Sequence, residues 1–473
     1  MLFQSFEFLI FFPIVFILFW VLNNWNITAR NLFILAASYF FYGYWDYRFL
    51  ALILASSVID YTIGIQLSQA VKLGTRKRLL IVSFLFNIGA LGYCKYLNFF
   101  IENFVSTLKS IGVEQDVSSL SIILPVGISF YTFQTLSYTI DIYRKRIEPE
   151  LNIITFLTFV SFFPQLVAGP IERASNLLGQ FNRKSKFTHE IGSEALRQIL
   201  YGLFKKVVIA DNCAIYANQA FANHGELSSH YLILGAVFFA FQIYGDFSGY
   251  SDIARGVAKL LGFGLMKNFN FPYFSKNVGE FWRKWHISLS TWFRDYLYIP
   301  LGGSRDSKWV VVRNVFVVFI VSGFWHGANW TFIVWGAFHA ILFIPSVFSS
   351  KKKVTNSGNS SNSFSLLDFG RMLFTFSLIC FAWIFFRADS LSHAIGYISG
   401  IFSIDTFHYN GYYFKFLPIL FLFIVWEWVN RDSEYGWKLV PKSKVIRWFV
   451  YLFVICTILL FRQEDNAFIY FQF

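Results

Sequence analysis

Charged side chains are scarce in this sequence: they make up 14% of its 473 residues, whereas hydrophobic residues make up 56%. The surface of a soluble protein needs roughly 25–35% charged residues, so the composition excludes a set of water-soluble domains. Aromatic residues are abundant, with 62 Phe, 25 Tyr and 15 Trp. We therefore predict an all-α, polytopic membrane protein, in which one helical bundle replaces separate soluble domains.

Cysteine is rare too, and the four cysteines are far apart with no CxxC pair: Cys94, Cys213, Cys380 and Cys456. Each lies in an apolar stretch, which favours packing over metal or redox chemistry. The sequence also lacks an HExxH pair, a P-loop, a dinucleotide-binding glycine fingerprint and a serine nucleophile elbow. These absences exclude a soluble hydrolase or nucleotide-binding enzyme, and we expect no metal and no bound cofactor.

Basic residues exceed acidic ones, 40 to 27, and give a net charge of +13. A nucleic-acid surface would need a basic, aromatic groove outside the apolar runs, and the sequence has none. The basic residues instead form clusters between apolar runs, at 72–78, 144–146, 183–186 and 351–353. The positive-inside rule places these clusters in the cytoplasm, so the N-terminus is expected outside.

Apolar runs of about 20 residues are long enough to cross a bilayer. They predict eleven or twelve transmembrane helices, at 6–22, 31–42, 49–70, 79–100, 120–142, 199–221, 231–261, 314–325, 330–348, 372–386, 414–429 and 448–461. The first run has no basic n-region and no small-residue cleavage site, so we expect it to be retained as a helix. Two segments with Gly and Pro, 153–170 and 262–307, are expected to be re-entrant or to fold against the membrane.

His326 is the first candidate for a chemical role. It lies in an uncharged stretch between Gly323 and Gly327, which allow backbone or substrate to approach closely. Trp325, Trp330 and Trp335 in the same stretch are expected to surround it with flat aromatic walls. An ionisable residue in a membrane segment is costly and is a functional candidate by default. A neutral imidazole there can accept a proton from a hydroxyl or thiol. The alternative is a core histidine that serves packing alone.

His286 has a more polar setting, because Arg283 and Lys284 precede it and Arg294 and Asp295 follow. Two interpretations stay open: a histidine at the cytoplasmic interface, or part of a basic site for a phosphorylated donor. His339 follows His326 by 13 residues. At 3.6 residues per turn this spacing separates the two on a helix, so His339 is expected to serve packing.

Two carboxylates, Asp246 and Asp252, lie in or beside an apolar run. A buried carboxylate can act in chemistry, yet it can also pair with Arg255 or cap a broken helix. The sequence favours a structural role without excluding the functional one.

The two histidine-bearing stretches, FWRKWHISLSTWFRDYLYIPLGG and SGFWHGANWTFIVWGAFH, resemble motifs of the membrane-bound O-acyltransferases, within them the bacterial branch of alginate O-acetyltransferases. FFPQLVAGPIER, FQIYGDFSGYSDIARG, ASYFFYGYWDYRFL and the final FIYFQF are similar to that branch as well, so the resemblance covers nearly the whole chain. It implies acyl transfer across the membrane through a central funnel or tunnel. His326 then matches the family's catalytic histidine, and His286 matches a second, more variable one.

From the residues and the resemblance together we expect an inner-membrane enzyme that passes an acetyl group from acetyl-CoA to an extracellular polysaccharide such as alginate, with a periplasmic partner protein. Five basic residues are expected to bind the donor: Lys276, Arg283, Lys284, Arg294 and Arg305. Four residues are expected to support the site: Trp325, Asn329, Asp246 and Asp295. The alternative is a transporter or flippase, which would predict inverted repeats and paired charges inside the membrane, and neither is evident in the sequence.

We also expect three helical regions: N-terminal helices at 1–118, a catalytic core at 119–350 and C-terminal helices at 366–473. The only low-complexity stretch, 351–365, predicts a flexible cytoplasmic linker between the last two.

Overall fold

A computed structural model describes residues 1–113, 120, 122–305, 307–349, 365–403, 411–437, 441, 443–463 and 468–469. Over these ranges the chain is helical and contains no β-strand, which confirms the all-α prediction. A helix pairs its backbone N–H and C=O groups within the segment, except in its first and last turns, and such internal pairing is required where water is absent.

The first half of the chain forms ten helices among the described residues. They are α1 (Phe6–Trp25), α2 (Ile27–Asp46), α3 (Leu50–Gln69), α4 (Leu73–Leu91), α5 (Leu97–Ser110), α6 (Ile128–Tyr143), α7 (Ile153–Ser161), α8 (Phe163–Leu166), α9 (Ala174–Phe181) and α10 (His189–Leu203). A 3-10 turn joins α2 to α3 and a π-helical turn joins α4 to α5.

The second half forms another ten. They are α11 (Asp211–Ala222), α12 (Ser229–Leu260), α13 (Val278–Lys284), α14 (Ile287–Phe293), α15 (Lys308–His326), α16 (Trp330–Ser349), α17 (Leu366–Arg387), α18 (Leu391–Ile401), α19 (Leu417–Asn430) and α20 (Lys444–Leu460). Two π-helical turns, Phe204–Ala210 and Arg294–Tyr298, precede α11 and follow α14.

Seven helical stretches of the described chain are long and apolar enough to cross a membrane: Phe6–Trp25, Ile27–Gln69, Leu73–Ser110, Ser229–Leu260, Lys308–His326, Trp330–Phe348 and Leu366–Arg387. The protein is therefore a multi-pass membrane protein. Two of these stretches have 43 and 38 residues, about twice the length that one crossing needs.

Four of the predicted spans fold as shorter helices. α6 has 16 residues, α19 has 14 and α20 has 17. The run at 199–221 is divided by the π-helical turn Phe204–Ala210. The predicted total of eleven or twelve crossings stays a prediction.

The two segments that were not expected to span contain only short helices. Residues 153–170 form α7 and α8, with nine and four residues. Residues 262–307 form α13 and α14, with seven residues each, and a five-residue π-helical turn. None of these is long enough to cross a bilayer. The predicted linker at 351–365 lies outside the described residues except for Ser365.

The chain forms two compact units. One contains residues 1–199 and 253–266, and the other contains residues 200–252 and 267–473. The predicted regional boundaries at 118 and 350 stay a prediction. Both histidine motifs belong to the second unit.

In the first unit, α3 packs closely against α6 at Gly64. A Cβ atom at Gly64 would lie 2.7 Å from a ring carbon of Tyr138. The Tyr138 ring has little room to move, because it packs on Phe156 with ring centroids 4.6 Å apart and its hydroxyl accepts the N–H of Glu150. Small residues allow such close approach between membrane helices.

We predict opposite effects for two Gly→Ala substitutions in this unit. Gly64→Ala forces a shift of a held ring and should destabilise the protein by about 1–3 kcal/mol. Gly89→Ala, in α4, meets no atom within 4 Å and should stabilise by up to about 1 kcal/mol, because Ala is the better helix former. Thermal unfolding in one detergent measures both. A Gly64→Ala protein as stable as Gly89→Ala would show that this contact does not hold α3 to α6.

Candidate active site

The helical hairpin α15–α16 carries His326 at its turn. A Cβ atom at Gly323 would overlap the carbonyl oxygen of Phe332, and one at Gly336 would overlap that of Phe319. The two helices are therefore in backbone contact, which only glycine permits. Asn329 lies in the turn, accepts the N–H of Thr331 and so begins α16. His326 is the last residue of α15.

Aromatic rings surround the buried His326 imidazole. Its ring centroid lies 4.8 Å from that of Trp325, 5.2 Å from Trp335 and 5.2 Å from Phe386. Trp325 and Trp335 therefore form walls, as predicted. Trp330 was expected to be a third wall, but it begins α16 and is 51% exposed. Phe386, on α17, takes that place and was not found from the sequence.

His286 is also fully enclosed. It is 1% exposed, its ring packs on Phe247 at 4.6 Å, and it lies 6.1 Å from Trp325. The imidazole is therefore enclosed by protein rather than exposed at a surface. Trp325 contacts both histidine rings, so the structure brings the two predicted histidines to one indole. Burial lowers the pKa of His286 to about 3, so this imidazole is neutral at physiological pH.

The backbone at His286 is unusual. Its φ is 43°, in the left-handed region that non-glycine residues rarely adopt. The loop is held by Asn268, whose carbonyl oxygen accepts the N–H of Ile287 at 2.9 Å and whose side-chain oxygen accepts the Ser288 hydroxyl at 2.6 Å. Strained residues persist where surrounding structure over-determines them, and they cluster at functional sites.

His339 is closer to the site than the helical spacing implied. Its ring contacts Trp335 at 4.8 Å, and Trp335 contacts His326. The spacing argument was wrong because α15 ends at His326, so no single helix contains both residues. Its Nδ1 accepts the indole N–H of Trp282 at 3.3 Å. This contact and its complete burial agree with a packing role.

The two carboxylates on α12 pair with lysines. Lys206 Nζ lies 2.8 Å from Asp246 and 2.8 Å from Asp211, and Lys205 Nζ lies 2.6 Å from Asp252. Both lysines are in the π-helical turn, a form that is frequent at functional sites. Charge pairs inside the bundle, which the sequence did not reveal, are therefore present.

The C-terminal stretch reaches the same region. The N–H of Ile469 donates to Asp246 at 2.7 Å. The Phe468 ring lies 5.0 Å from that of Tyr250 and 6.3 Å from that of Phe247. Phe247 is the residue on which His286 packs. Asp246 thus links α12, the π-helical turn that contains Lys206, and Ile469 near the C-terminus.

The five predicted donor-binding residues are not joined by contacts with one another. Three of them bind a carboxylate: Lys276 binds Asp368 at 2.5 Å, Lys284 binds Glu280 at 2.8 Å and Arg294 binds Asp295 at 2.7 Å. Arg283 and Arg305 are exposed, and neither forms an ion pair with any described residue. Within the described ranges, no group of three or more His, Cys, Asp or Glu residues could hold a metal ion.

Comparisons with known proteins identify the family of this chain and several relatives. The model of the membrane-bound O-acyltransferase family matches residues 143–386, a range that includes both histidines. The probable alginate O-acetylase AlgI of Pseudomonas syringae is 40% identical over 403 residues, 85% of this chain and 74% of the relative. That of Pseudomonas putida is 35% identical over the full length of both proteins. The peptidoglycan O-acetyltransferase of Helicobacter pylori is 35% identical over 84% of this chain and 78% of the relative.

Removal of Lys206 should destabilise the protein more than removal of one of its carboxylate partners. Lys206→Met leaves two carboxylates without the ammonium group that binds both, and breaking a buried ion pair costs about 3–5 kcal/mol. Asp246→Asn keeps the Lys206–Asp211 pair and an oxygen for the Ile469 N–H, so its cost should be smaller. Thermal unfolding of the purified variants compares them.

Lys259→Met is the matched control, because Lys259 forms a half-exposed pair with Glu194 that should contribute less than about 1 kcal/mol. Equal stability of Lys206→Met and Lys259→Met would contradict a structural role for the buried lysine.

Proposed function

This chain belongs to the membrane-bound O-acyltransferase family, and from that premise we propose that it moves an acetyl group from cytoplasmic acetyl-CoA across the inner membrane to alginate. The protein is an O-acyltransferase that serves polysaccharide O-acetylation, so it uses an acyl donor and a polysaccharide acceptor. Relatives named as alginate O-acetylases, 35–40% identical, support alginate as the acceptor.

The observation that carries the chemical proposal is the enclosure of His326 at the hairpin turn. Trp325, Trp335 and Phe386 surround the imidazole with apolar surface. Such walls limit water near a reactive thioester. His326 is thereby suited to act as a general base.

In the proposed step the acceptor hydroxyl attacks the carbonyl carbon of the acetyl thioester while His326 takes the hydroxyl proton. The new C–O bond forms, the C–S bond breaks, and the thiolate leaving group accepts the proton from the imidazolium. General-base assistance avoids a free alkoxide and contributes about 10²–10⁴ in rate.

His286 has a different proposed role. Its ring and that of His326 meet the same Trp325 indole, and its backbone is held in a left-handed conformation. We assign it to positioning of Trp325 and the donor rather than to proton transfer. Final transfer to the polysaccharide is proposed to involve a periplasmic partner protein, because the described chain consists of helices without a separate soluble catalytic domain.

The alternative of a transporter or flippase is not favoured, because the family and the named relatives are acyltransferases. Vesicles that contain the protein and radiolabelled acetyl-CoA separate the two. Label that appears on an acceptor or as free acetate supports acyl transfer. Acetyl-CoA that crosses the membrane intact supports transport.

His326→Ala should reduce acceptor acetylation by about 10²–10⁴, because the reaction loses its base while the aromatic walls remain. His286→Ala should cost less, because that residue positions other groups. His189→Ala, on the exposed start of α10, is the control and should keep wild-type activity. The measurement is the acetylation rate at equal membrane abundance. Near-normal activity in His326→Ala overturns the assignment, and a larger loss in His286→Ala exchanges the two roles.

For the donor, the exposed Arg283 and Arg305 are the strongest candidates, because the other three basic residues already bind carboxylates. Each contact with a phosphate is worth about 1.5–3 kcal/mol. Arg283→Gln with Arg305→Gln should therefore raise the KM for acetyl-CoA by about tenfold or more.

The increase in KM should shrink at high salt, because surface charges are screened over about 8 Å at physiological ionic strength. The control is Lys77→Gln with Arg78→Gln, two exposed residues that remove the same charge elsewhere on the predicted cytoplasmic face. An unchanged KM at low salt in the arginine variant would place the donor phosphates elsewhere.

A further inference from the structure

An apolar cavity of about 650 Å³ lies in the second unit, beside the helices that carry the site. Parts of α12, α17 and α19 form its sides, and Tyr273 and Phe274 lie between them. Its volume is within the range of small-molecule sites. Leu373 on α17 and Phe421 on α19 line it and are 56% and 65% exposed. Because α17 is long and apolar enough to cross the membrane, the exposed rim faces hydrocarbon rather than water.

Three polar side chains that line the cavity, Tyr244, Tyr273 and Glu427, are hydrogen-bonded within the protein. The Tyr244 hydroxyl donates to Glu427 at 2.6 Å, and Glu427 also accepts the Tyr201 hydroxyl. The Tyr273 hydroxyl donates to the carbonyl of Ala240 at 2.6 Å. These internal bonds leave ring faces and aliphatic carbons as the surface, so the cavity fits a hydrocarbon chain.

The cavity is separate from the proposed acyl-transfer site. Tyr273 packs on Trp285 at 5.9 Å, and Trp285 packs on Trp383 at 5.1 Å. Trp383 then stacks on Trp335 at 5.7 Å, and it is Trp335 that contacts His326. Several aromatic layers therefore lie between the cavity and the imidazole, so an occupant would pack on the back of the aromatic wall.

Basic residues gather at one end of the cavity. Arg371 lies between the lining residues Phe369 and Met372 of α17, and its side chain is 57% exposed. The guanidinium carbon of Arg431 lies 4.0 Å from the centroid of the Trp428 ring, another lining residue. Asp368 binds Arg371 at 3.3 Å.

Asp368 also binds Lys276 at 2.5 Å, so one carboxylate pairs with two basic side chains at this end. Arg431 is a third basic residue there. A tryptophan with nearby Arg and Lys residues is typical of the level of lipid headgroups. The basic cluster at 351–353 precedes α17 in the sequence, and the positive-inside rule predicts this end in the cytoplasmic leaflet.

We propose that this cavity binds an anionic phospholipid of the cytoplasmic leaflet. One acyl chain fills the space between α12, α17 and α19, and the phosphate lies within reach of Arg371 and Arg431. The apolar floor accounts for the chain and the basic end accounts for the headgroup. The occupant would support the aromatic wall from behind without taking part in acyl transfer.

Native mass spectrometry of the detergent-purified protein, loaded with dioleoyl phosphatidylglycerol, tests the chain site. Wild type should retain one lipid per chain. Met372→Trp fills the cavity and should retain at least about tenfold less. Phe374→Trp, on the same helix but 66% exposed and outside the cavity lining, should behave as wild type. Equal retention by all three proteins, or an equal loss in both variants, overturns the site.

The headgroup is tested by competition between phosphatidylglycerol and phosphatidylethanolamine. Arg371→Gln with Arg431→Gln should keep the chain bound but reduce the preference for phosphatidylglycerol by about tenfold. An unchanged preference overturns the role of the two arginines. Retention of a fatty acid or acyl-CoA in place of phospholipid by the wild type overturns the assigned ligand.

A third measurement covers the case in which Met372→Trp does not fold. In vesicles with an increasing fraction of bromine-labelled phosphatidylglycerol, the fluorescence of Trp428 should be quenched early. This quenching should occur at labelled-lipid fractions too low to quench the other lipid-facing tryptophans. Trp428→Phe should remove that early phase. An early phase that persists in Trp428→Phe, or that is absent from wild type, contradicts the proposal. None of these measurements depends on acetyl transfer.

Discussion

The backbone contact between α15 and α16 is the constraint on which the site depends. Gly323 and Gly336 each face a carbonyl oxygen of the other helix, at Phe332 and Phe319, with no room for a Cβ atom. Because the two helix backbones are in contact, the turn that joins them is short and its geometry is restricted. His326 is the last residue before that turn. Its imidazole position therefore follows from backbone packing rather than from a single side-chain contact.

The membrane imposes the second constraint, because polar groups inside the bundle must find partners within the protein. Lys206 meets two carboxylates, Glu427 accepts two tyrosine hydroxyls, and Asp246 accepts a backbone N–H from the end of the chain. These contacts tie α12 to its neighbours. Phe247, next to Asp246 on α12, supports His286, so the ionic network and the histidine pair share one helix.

Sequence patterns predicted the features that depend on composition and local spacing. The low charge content predicted the helical membrane fold, and the glycines that flank His326 indicated a site of close approach.

Features that depend on distant contacts were not predictable. The burial of His286 comes from Phe247 and Trp325, which are far from it in sequence, and the partner of Asp246 is Lys206, some forty residues earlier. The distance of His339 from the site was misjudged, because helical spacing was applied across a turn, whereas its expected packing role agrees with its contacts. The sequence shows the basic residues near His286, but it does not show which carboxylates they bind.

The most direct test of the account is the acetylation rate of Gly323→Ala in a single turnover, with both histidines intact. The added methyl group would push α15 away from α16, and a displacement of about 1 Å can cost about 10² in rate. Gly370→Ala on α17, where a Cβ atom meets nothing within 4 Å, is the comparison at equal membrane abundance. The account predicts a loss of about a hundredfold in Gly323→Ala and none in Gly370→Ala. Equal, near-normal rates would contradict it, because His326 would then not depend on the hairpin contact.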